Sequence, residues 1–342
     1  MDKIKQKKRK WKTYVYVLIL IVPCFELALR LLGAEPYIQQ DYVIKSIPEH
    51  PFLGDSLLGI SLNMGGYEIE INNKIKFKAT HDSSGYRKIY RNETIAVTKN
   101  IVSLGCSFTY GYGVNDTETF TYLLQKNHPN FNFTNMGVIG YGTVQSYLQL
   151  NKIVNSKNSP DVVILNFASY HLERNPMVAS YRRALKIGFN NSLSTAKEIM
   201  KNSRFPFSNS IGEIKIEYIG WKDLYSDWKG REYSAAINYI QTGWDRMETS
   251  NLDLNSISTT IIIEMNKLCA DNGIDFYAVM LDEVPSISLN LKSKGVKIIE
   301  VGLDFSDITV TNLPFDMHPN NKGHEQIFEA INNQLSLKKP TI

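Results

Sequence analysis

The sequence has few cysteines and no internal repeats. Its 342 residues include three cysteines, Cys24, Cys106 and Cys269, an odd number without a regular spacing. This pattern argues against a disulfide framework and against a zinc site. Hydrophobic residues make up 43% and charged residues 21% of the chain, which is ordinary for a globular protein. The length fits one large domain, or one domain with an insertion.

A basic surface for nucleic acid is also missing. The formal net charge is +4, but residues 1–12 alone contain seven Lys or Arg and one Asp. The rest of the chain is therefore slightly acidic. We expect no nucleic-acid partner, because binding the phosphate backbone requires clustered positive charge on the folded body.

The basic start leads into a mostly apolar run. Residues 14–32 are largely apolar, and Trp11, Tyr14 and Tyr16 lie at the beginning of the run. The pattern predicts a cytoplasmic start over 1–12 and a transmembrane signal anchor over 13–32. The rest of the chain would then lie outside the cytoplasm, in the periplasm or at the cell surface. A cleaved signal peptide is the alternative, but no clean small-x-small cleavage site follows.

Two charged residues interrupt the apolar run. Glu26 and Arg30 lie four residues apart and can pair on one helix face. The alternative is that they mark the exit of the helix from the bilayer, where long charged side chains reach the interface.

The remaining chain divides into four predicted parts. The prolines in 33–55 predict a linker there. Residues 56–99 form an extension whose alternating segments 67–71 and 75–78 predict a β-hairpin with a two-residue turn at Asn72 and Asn73. Residues 100–337 form the main domain. An aromatic-rich insertion at about 176–250 interrupts it, and its rings either pack the insertion onto the domain or stack on sugars.

The main domain alternates strands and helices. Its predicted strands are 100–104, 131–137, 161–167, 274–281 and 297–302, and its predicted helices include 143–154, 256–270 and 323–335. Alternation at these lengths predicts an α/β fold with a parallel sheet covered on both faces.

Ser107 and an Asp-x-His segment are the candidate chemical groups. Ser107 follows the strand 100–104 directly and precedes a helix that opens near Asp116, the position where open α/β sheets place their chemistry. Asp316 and His318 lie on a loop before the last helix, and a serine nucleophile needs a base and a group that orients it. The structural alternatives are a turn serine, a turn aspartate and a solvated loop histidine.

Three ordered segments resemble the SGNH (GDSL-type) hydrolases. Gly105-Cys-Ser-Phe-Thr109 resembles the first block, with Cys106 where many members have aspartate. The segment 135–143 resembles the second block, and Asp316-x-His318 resembles the last. Upstream, His81-Asp-Ser-Ser-Gly-Tyr-Arg87 resembles a segment of membrane-anchored bacterial members. The resemblance covers roughly residues 55–337.

The resemblance implies a flavodoxin-like three-layer fold and a Ser107–His318–Asp316 triad, with no metal and no cofactor. It also implies an oxyanion hole formed by the N–H groups of Ser107 and Gly140. The third block departs from the family pattern, because Tyr170 and His171 stand where an Asn-Asp pair is usual.

Other donors for the oxyanion hole are Asn166 and Ser169. We expect Arg87, which lies upstream of the first block, to support the hairpin rather than to hold an anion.

Three functions fit these features. The first is a serine esterase that removes O-acyl groups, in particular O-acetyl groups, from an envelope or exported glycan or from a small ester. The second is an O-acyltransferase to a glycan that uses the same triad. The third is a non-catalytic glycan-binding or assembly protein that retains the fold. The sequence does not identify the acyl group, the polymer, the protein partners or the oligomeric state.

Overall fold

The structure is a computed structural model that describes residues 2–38, 42–156, 159–192 and 196–336. Parts of the predicted linker and insertion, 39–41 and 193–195, and the predicted end of the domain at 337 lie outside the described residues. The helices are α1 (Asp2–Leu31), α2 (Ser107–Tyr110), α3 (Phe120–Asn127), α4 (Thr143–Val154), α5 (His171–Arg174), α6 (Ala179–Ser192), α7 (Ala196–Ile199), α8 (Ala235–Ser250), α9 (Leu254–Asp271), α10 (Pro285–Ser293) and α11 (Asn321–Ser336).

The strands are β1 (Ile44–Ile47), β2 (Phe52–Asp55), β3 (Gly59–Leu62), β4 (Gly65–Ile71), β5 (Ile75–His81), β6 (Lys99–Leu104), β7 (Phe131–Asn135), β8 (Val162–Phe167), β9 (Arg204–Phe207), β10 (Glu217–Gly220), β11 (Asp275–Met280) and β12 (Lys297–Glu300). The described chain divides into two compact units. We call 2–38 with 225–251 the helical unit, and 42–224 with 252–336 the sheet unit.

A parallel sheet is the centre of the sheet unit. Its strand order is β12-β11-β8-β6-β7, and every neighbouring pair is parallel. Strand β8 is buried along its whole length, as expected for a strand covered on both faces. The predicted α/β fold with a central parallel sheet is therefore confirmed. Numbered within the sheet, the order is 2-1-3-4-5, which places the topological switch point between β6 and β8.

Helices cover both faces of this sheet. Successive strand residues point to opposite faces, so Ile101 and Ile164 belong to one core cluster, whereas Val102 and Leu165 belong to the other. Helices α3 and α11 pack together on the first side, and α4, α9 and α10 cover the second. The chain segments leaving β6 and β8 therefore diverge and leave a crevice between them.

Smaller sheets precede the central one. Strands β1, β4 and β5 form an antiparallel sheet, and β2 pairs with β3. The segment 33–55, which was predicted as a linker, therefore contains two strands, β1 and β2. Its prolines do not prevent this, because Pro48 follows β1 and Pro51 precedes β2. The predicted β4–β5 hairpin is present, but its connection has three residues. Asn72 and Asn73 both adopt positive φ there, a conformation that asparagine tolerates in turns.

In the helical unit, α1 contacts the start of α8. The carboxylate of Glu26 accepts hydrogen bonds from the Ser234 hydroxyl at 2.7 Å and from the backbone N–H groups of Ala235 at 2.9 Å and Ala236 at 2.8 Å. Arg30 pairs with Glu26 at 2.7 Å. Glu26 therefore satisfies N–H groups that a helix start leaves without intrahelical partners.

The membrane anchor predicted over 13–32 lies in α1 except for its last residue, because α1 ends at Leu31. Among the described residues, we find no helix with the length and apolarity required to cross a membrane. The anchor stays a prediction.

Candidate active site

The turn after β6 places Ser107 at the switch point. Gly105 precedes it, and a Cβ at Gly105 would lie 2.2 Å from Thr109 Oγ1 and 2.9 Å from the carbonyl oxygen of Asn166, so this position accepts only glycine. Cys106 is extended, and Ser107 is the first residue of α2. The short helix ends at Gly111 in the left-handed conformation.

Ser107, His318 and Asp316 form one chain of hydrogen bonds. The Ser107 Oγ to His318 Nε2 distance is 2.8 Å, and the His318 Nδ1 to Asp316 Oδ1 distance is 2.5 Å. The backbone N–H of His318 also donates to Asp316 Oδ1 at 2.8 Å, which fixes the loop. The structure thus brings together the three residues that the sequence singled out. In this geometry the imidazole can take the serine proton while the carboxylate holds its other nitrogen.

A fourth residue, Tyr42, binds the carboxylate. Its hydroxyl donates to Asp316 Oδ2 at 2.6 Å. Burial raises the pKa of Asp316, but the charge and hydrogen bonds of His318, together with the Tyr42 hydrogen bond, outweigh burial and hold this pKa at about 2. Burial, followed by the proximity of Tyr112 and Asp316, raises the pKa of Tyr42 far above its usual range. Tyr42 therefore stays a protonated donor and Asp316 an ionised acceptor.

Two aromatic rings flank the imidazole. The Phe108 ring lies 5.1 Å from the His318 ring and the Tyr112 ring lies 4.9 Å from it, both edge to face. Only 16% of the His318 side chain is exposed. These rings limit rotation of the imidazole and shield it from water while leaving Nε2 directed at Ser107.

The loop 136–142 runs beside the turn of Ser107. The backbone N–H of Val138 donates to the Gly105 carbonyl at 3.3 Å. A Cβ at Gly137 would lie 2.4 Å from the Tyr110 backbone nitrogen, so the loop approaches α2 as closely as glycine allows. Within the described residues, the amides of Ser107 and Gly140 have no hydrogen-bond acceptor. Backbone N–H groups without an acceptor are the kind of donor that can bind an oxyanion.

Two side chains hold this loop from the other side. The Tyr181 hydroxyl donates to the Gly140 carbonyl, and Arg174 Nη1 donates to the Tyr141 carbonyl at 3.0 Å. The Arg174 guanidinium lies 5.9 Å from the Tyr170 ring and 5.5 Å from the Tyr181 ring. Arg174 therefore links the loops that follow β7 and β8.

The four side chains considered as a third oxyanion donor lie in different environments. Tyr170 lines the cleft described below. His171 is fully buried, and its Nδ1 contacts Thr143 Oγ1 at 3.2 Å. Asn166 is also fully buried and donates from Nδ2 to the Leu104 carbonyl at 3.1 Å. The backbone N–H of Ser169 donates to Asp282 Oδ1 at 2.9 Å. Of these side chains, only that of Tyr170 is placed at the cleft.

An open cleft of about 530 Å³ is lined by residues near the candidate site, among them Met317, which lies between Asp316 and His318 in the chain. Its lining comprises Tyr170, Asp282, Leu303, Asp304, Phe305, Ser306, Leu313 and Met317. The rings of Phe305 and Tyr170 contact Phe108, the residue after Ser107, at 4.9 and 6.0 Å. The cleft is thus walled by apolar side chains and carries the carboxylates of Asp282 and Asp304.

Arg87 binds backbone carbonyls of the segment that follows Ser107. Its side chain is fully buried and pairs with Asp116 at 2.7 Å. Its Nη atoms donate to the backbone carbonyls of Lys78, Tyr110, Gly111 and Val114. As expected from the sequence, Arg87 binds protein groups, and it joins the hairpin to the segment that follows Ser107.

Tyr42, Arg174 and Tyr181 were not identified from the sequence. Tyr42 lies 274 positions from Asp316, in a segment predicted as a linker. Tyr181 belongs to the insertion, and its contact with Gly140 spans 41 positions. Arg174 follows the third block directly, and this proximity was the one available signal.

Comparison with known proteins gives structural similarities only. No family model and no curated protein matches the chain. A putative lipolytic protein of the G-D-S-L family from Desulfitobacterium hafniense DCB-2 is 12% identical, with 69% of this chain and 99% of that chain covered and a TM-score of 0.35. A member of that family from Veillonella parvula DSM 2008 is 11% identical, with 69% and 98% covered and a TM-score of 0.38.

An acetylxylan esterase from Geobacillus stearothermophilus is 10% identical, with 70% and 95% covered and a TM-score of 0.37. At these TM-scores the similarity carries no argument about fold or activity. The case for chemistry therefore begins from the hydrogen-bonded triad.

Proposed function

We propose that this protein is a serine ester hydrolase of the SGNH type. The observation that carries the proposal is the continuous Ser107–His318–Asp316 hydrogen-bond chain. A turn serine that served only as a helix cap would not require a half-buried histidine and a buried carboxylate in this order.

In the proposed reaction, Ser107 Oγ attacks the acyl carbonyl carbon while His318 Nε2 takes the serine proton. The N–H groups of Ser107 and Gly140 stabilise the oxyanion, and the Tyr170 side chain is the proposed third donor. His318 then returns the proton to the leaving alcohol as the ester C–O bond breaks. Water attacks the acyl-enzyme by the same route and releases the free acid.

The cleft supports an uncharged, hydroxylated substrate. The carboxylates of Asp282 and Asp304 repel an anionic headgroup and accept hydrogen bonds from sugar hydroxyls. The apolar side chains of Phe305 and Met317 suit a short acyl chain. We therefore propose O-acyl esters, in particular O-acetyl esters on an envelope or exported glycan, as the substrate class.

We also propose that α1 holds the protein at the cytoplasmic membrane, with the sheet unit outside the cytoplasm. The basic run over 3–12 and the apolar run that follows support this topology. A reporter fused to the carboxyl end should be active only as an extracytoplasmic reporter. A soluble cytoplasmic full-length protein would overturn this part of the proposal.

The chemistry is tested by labelling and turnover on the full chain. A fluorophosphonate should label the wild type and not Ser107→Ala, and hydrolysis of short acyl esters should fall at least about 10⁴-fold. Ser103→Ala is the matched control. Ser103 is also buried, and it lies four residues before Ser107 in the chain, on β6. Turnover that persists in Ser107→Ala would refute the mechanism. A wild type that shows neither labelling nor turnover would favour a non-catalytic binding protein.

Product analysis separates hydrolase from acyltransferase. With an acylated donor and a sugar acceptor both present, the hydrolase yields free acid, whereas a transferase yields acylated sugar. If acylated sugar is the main product, the acceptor is a glycan hydroxyl rather than water, and the proposed role of the triad is unchanged.

A further inference from the structure

Helix α8 presents an apolar face that no described residue covers. Tyr239, Ile240, Trp244 and Met247 are spaced as one face of a helix, and all four are exposed, at 60%, 47%, 63% and 63%. Gly243 completes the face without adding a side chain. Four large apolar side chains on one exposed face exceed the scattered single residues that are normal on a protein surface.

The opposite face of α8 is polar and turned inward. Its side chains surround Arg231, which is 1% exposed, and the hydroxyl of Tyr225. The contacts are Asn238 Oδ1 with Arg231 Nε at 2.8 Å, Thr242 Oγ1 with Arg231 Nη2 at 3.2 Å, Gln241 Nε2 with the Tyr225 hydroxyl at 3.0 Å, and Asp245 Oδ2 with that hydroxyl at 2.7 Å. The helix is thus inverted relative to a helix that faces water, where polar side chains point outward.

The partner helix α1 shares this property. Its exposed apolar side chains include Leu20, Ile21, Val22, Phe25 and Leu27. The Glu26 carboxylate fixes α1 to the amino end of α8, so the two helices belong to one structural unit. Most of the exposed large hydrophobic side chains of the described residues lie in this unit.

We infer that the apolar face of α8 lies in the interfacial region of a lipid bilayer with anionic headgroups. Composition and charge select this occupant, since Tyr239 and Trp244 lie on the face and Arg246 is exposed beside it. A basic side chain at the surface of an anionic bilayer is attracted to the headgroups. Tyr and Trp favour the headgroup level, where an apolar ring and a polar edge are both satisfied.

The inference deepens the proposed membrane attachment and does not depend on ester hydrolysis or on α1 crossing the bilayer. It also assigns the aromatic residues of α8 to lipid rather than to glycan. An amphipathic helix of this kind lies in the plane of the interface.

The test places Trp244 relative to lipid. Full-length protein is bound to vesicles of phosphatidylcholine and phosphatidylglycerol that contain lipids brominated near the headgroup, and its emission is compared with that of Trp244→Phe. We expect the difference, which is the Trp244 emission, to be blue-shifted and quenched at least about twofold. Tyr239→Ser combined with Met247→Ser should reduce this quenching.

The matched control moves the reporter to the sheet unit. Ile308 is 67% exposed, so the emission that Ile308→Trp adds to the Trp244→Phe background should show no quenching. Unquenched Trp244 in vesicle-bound protein would overturn the inference. Blue-shifted but unquenched emission, with a concentration-dependent oligomer that Trp244→Ser dissociates, would assign the face to a second copy of the chain instead. Esterase assays on the same samples show whether a failure also affects the proposed function.

Discussion

Removal of the Tyr42 hydroxyl should lower kcat, because it weakens the hold on the Asp316 carboxylate. In Tyr42→Phe the carboxylate of Asp316 loses a hydrogen bond of 2.6 Å but keeps its contacts with His318. A hydrogen bond to a charged group contributes about 1.5–3 kcal/mol, and one pKa unit corresponds to about 1.4 kcal/mol. The pKa of Asp316, about 2 in the native protein, should therefore rise by about 1–2 units, and the group stays ionised at neutral pH.

The consequence appears at His318. A carboxylate that has lost one of its two side-chain partners holds the imidazole less firmly in the orientation that accepts the serine proton. We expect kcat on a short acyl ester to fall about three- to tenfold, with KM little changed. The measurement is steady-state kinetics at neutral pH, with folding checked by urea unfolding.

Tyr67→Phe is the matched control. Tyr67 is buried in the sheet unit, but its hydroxyl donates to the neutral Met64 carbonyl at 3.3 Å. This variant should keep the wild-type kcat. If Tyr42→Phe is stable and its kcat equals that of the wild type, the role of Tyr42 in positioning Asp316 is refuted.

The remaining predictions concern stability and the loop beside the nucleophile. Arg87→Met should lower the free energy of unfolding by about 3–5 kcal/mol in urea titration, because it leaves a buried carboxylate and several carbonyls without a partner. Burial lowers the pKa of His81 to about 4 and that of His324 to about 3, so protonation favours the unfolded chain. The free energy of unfolding should be highest above about pH 6.5. As the pH is lowered, each histidine should reduce it by about 1.4 kcal/mol per pH unit until the pH reaches the pKa of that histidine in the folded protein. Gly137→Ala should reduce esterase activity at least about tenfold, because a Cβ would displace α2 by contact with its backbone.

Each of these predictions has a control. Lys88→Met, next to Arg87 but exposed, should change stability by less than about 0.5 kcal/mol. His81→Gln should flatten the pH dependence of unfolding, and equal stability of the wild type at pH 7 and pH 5 would contradict the linkage. Gly66→Ala meets no atom within 4 Å and should leave activity intact. If Gly137→Ala is as active as Gly66→Ala, close packing of the loop is not required for catalysis.

Local pattern was sufficient to locate most of the central elements. The predicted helix at 143–154 coincides with α4, and the predicted strand 161–167 differs from β8 by one residue. Buried strands and amphipathic helices leave periodic signals in the sequence, because side chains must follow the geometry of the backbone. Where these signals were weak the boundaries differed. The lead-in prolines concealed β1 and β2, and the partners of β1 in β4 lie 21–27 positions further along the chain.

The candidate site divides in the same way. The sequence by itself identified Ser107, Asp316 and His318 as candidates, because a serine nucleophile needs a base and a group that orients the base. Only the tertiary structure decided that Tyr42 binds Asp316, that Tyr181 and Arg174 hold the loop of Gly140, and that Tyr170 faces the cleft while His171 is buried. These contacts join residues brought together by the crossover of parallel strands and by long loops, and such pairings leave no periodic mark in a single chain.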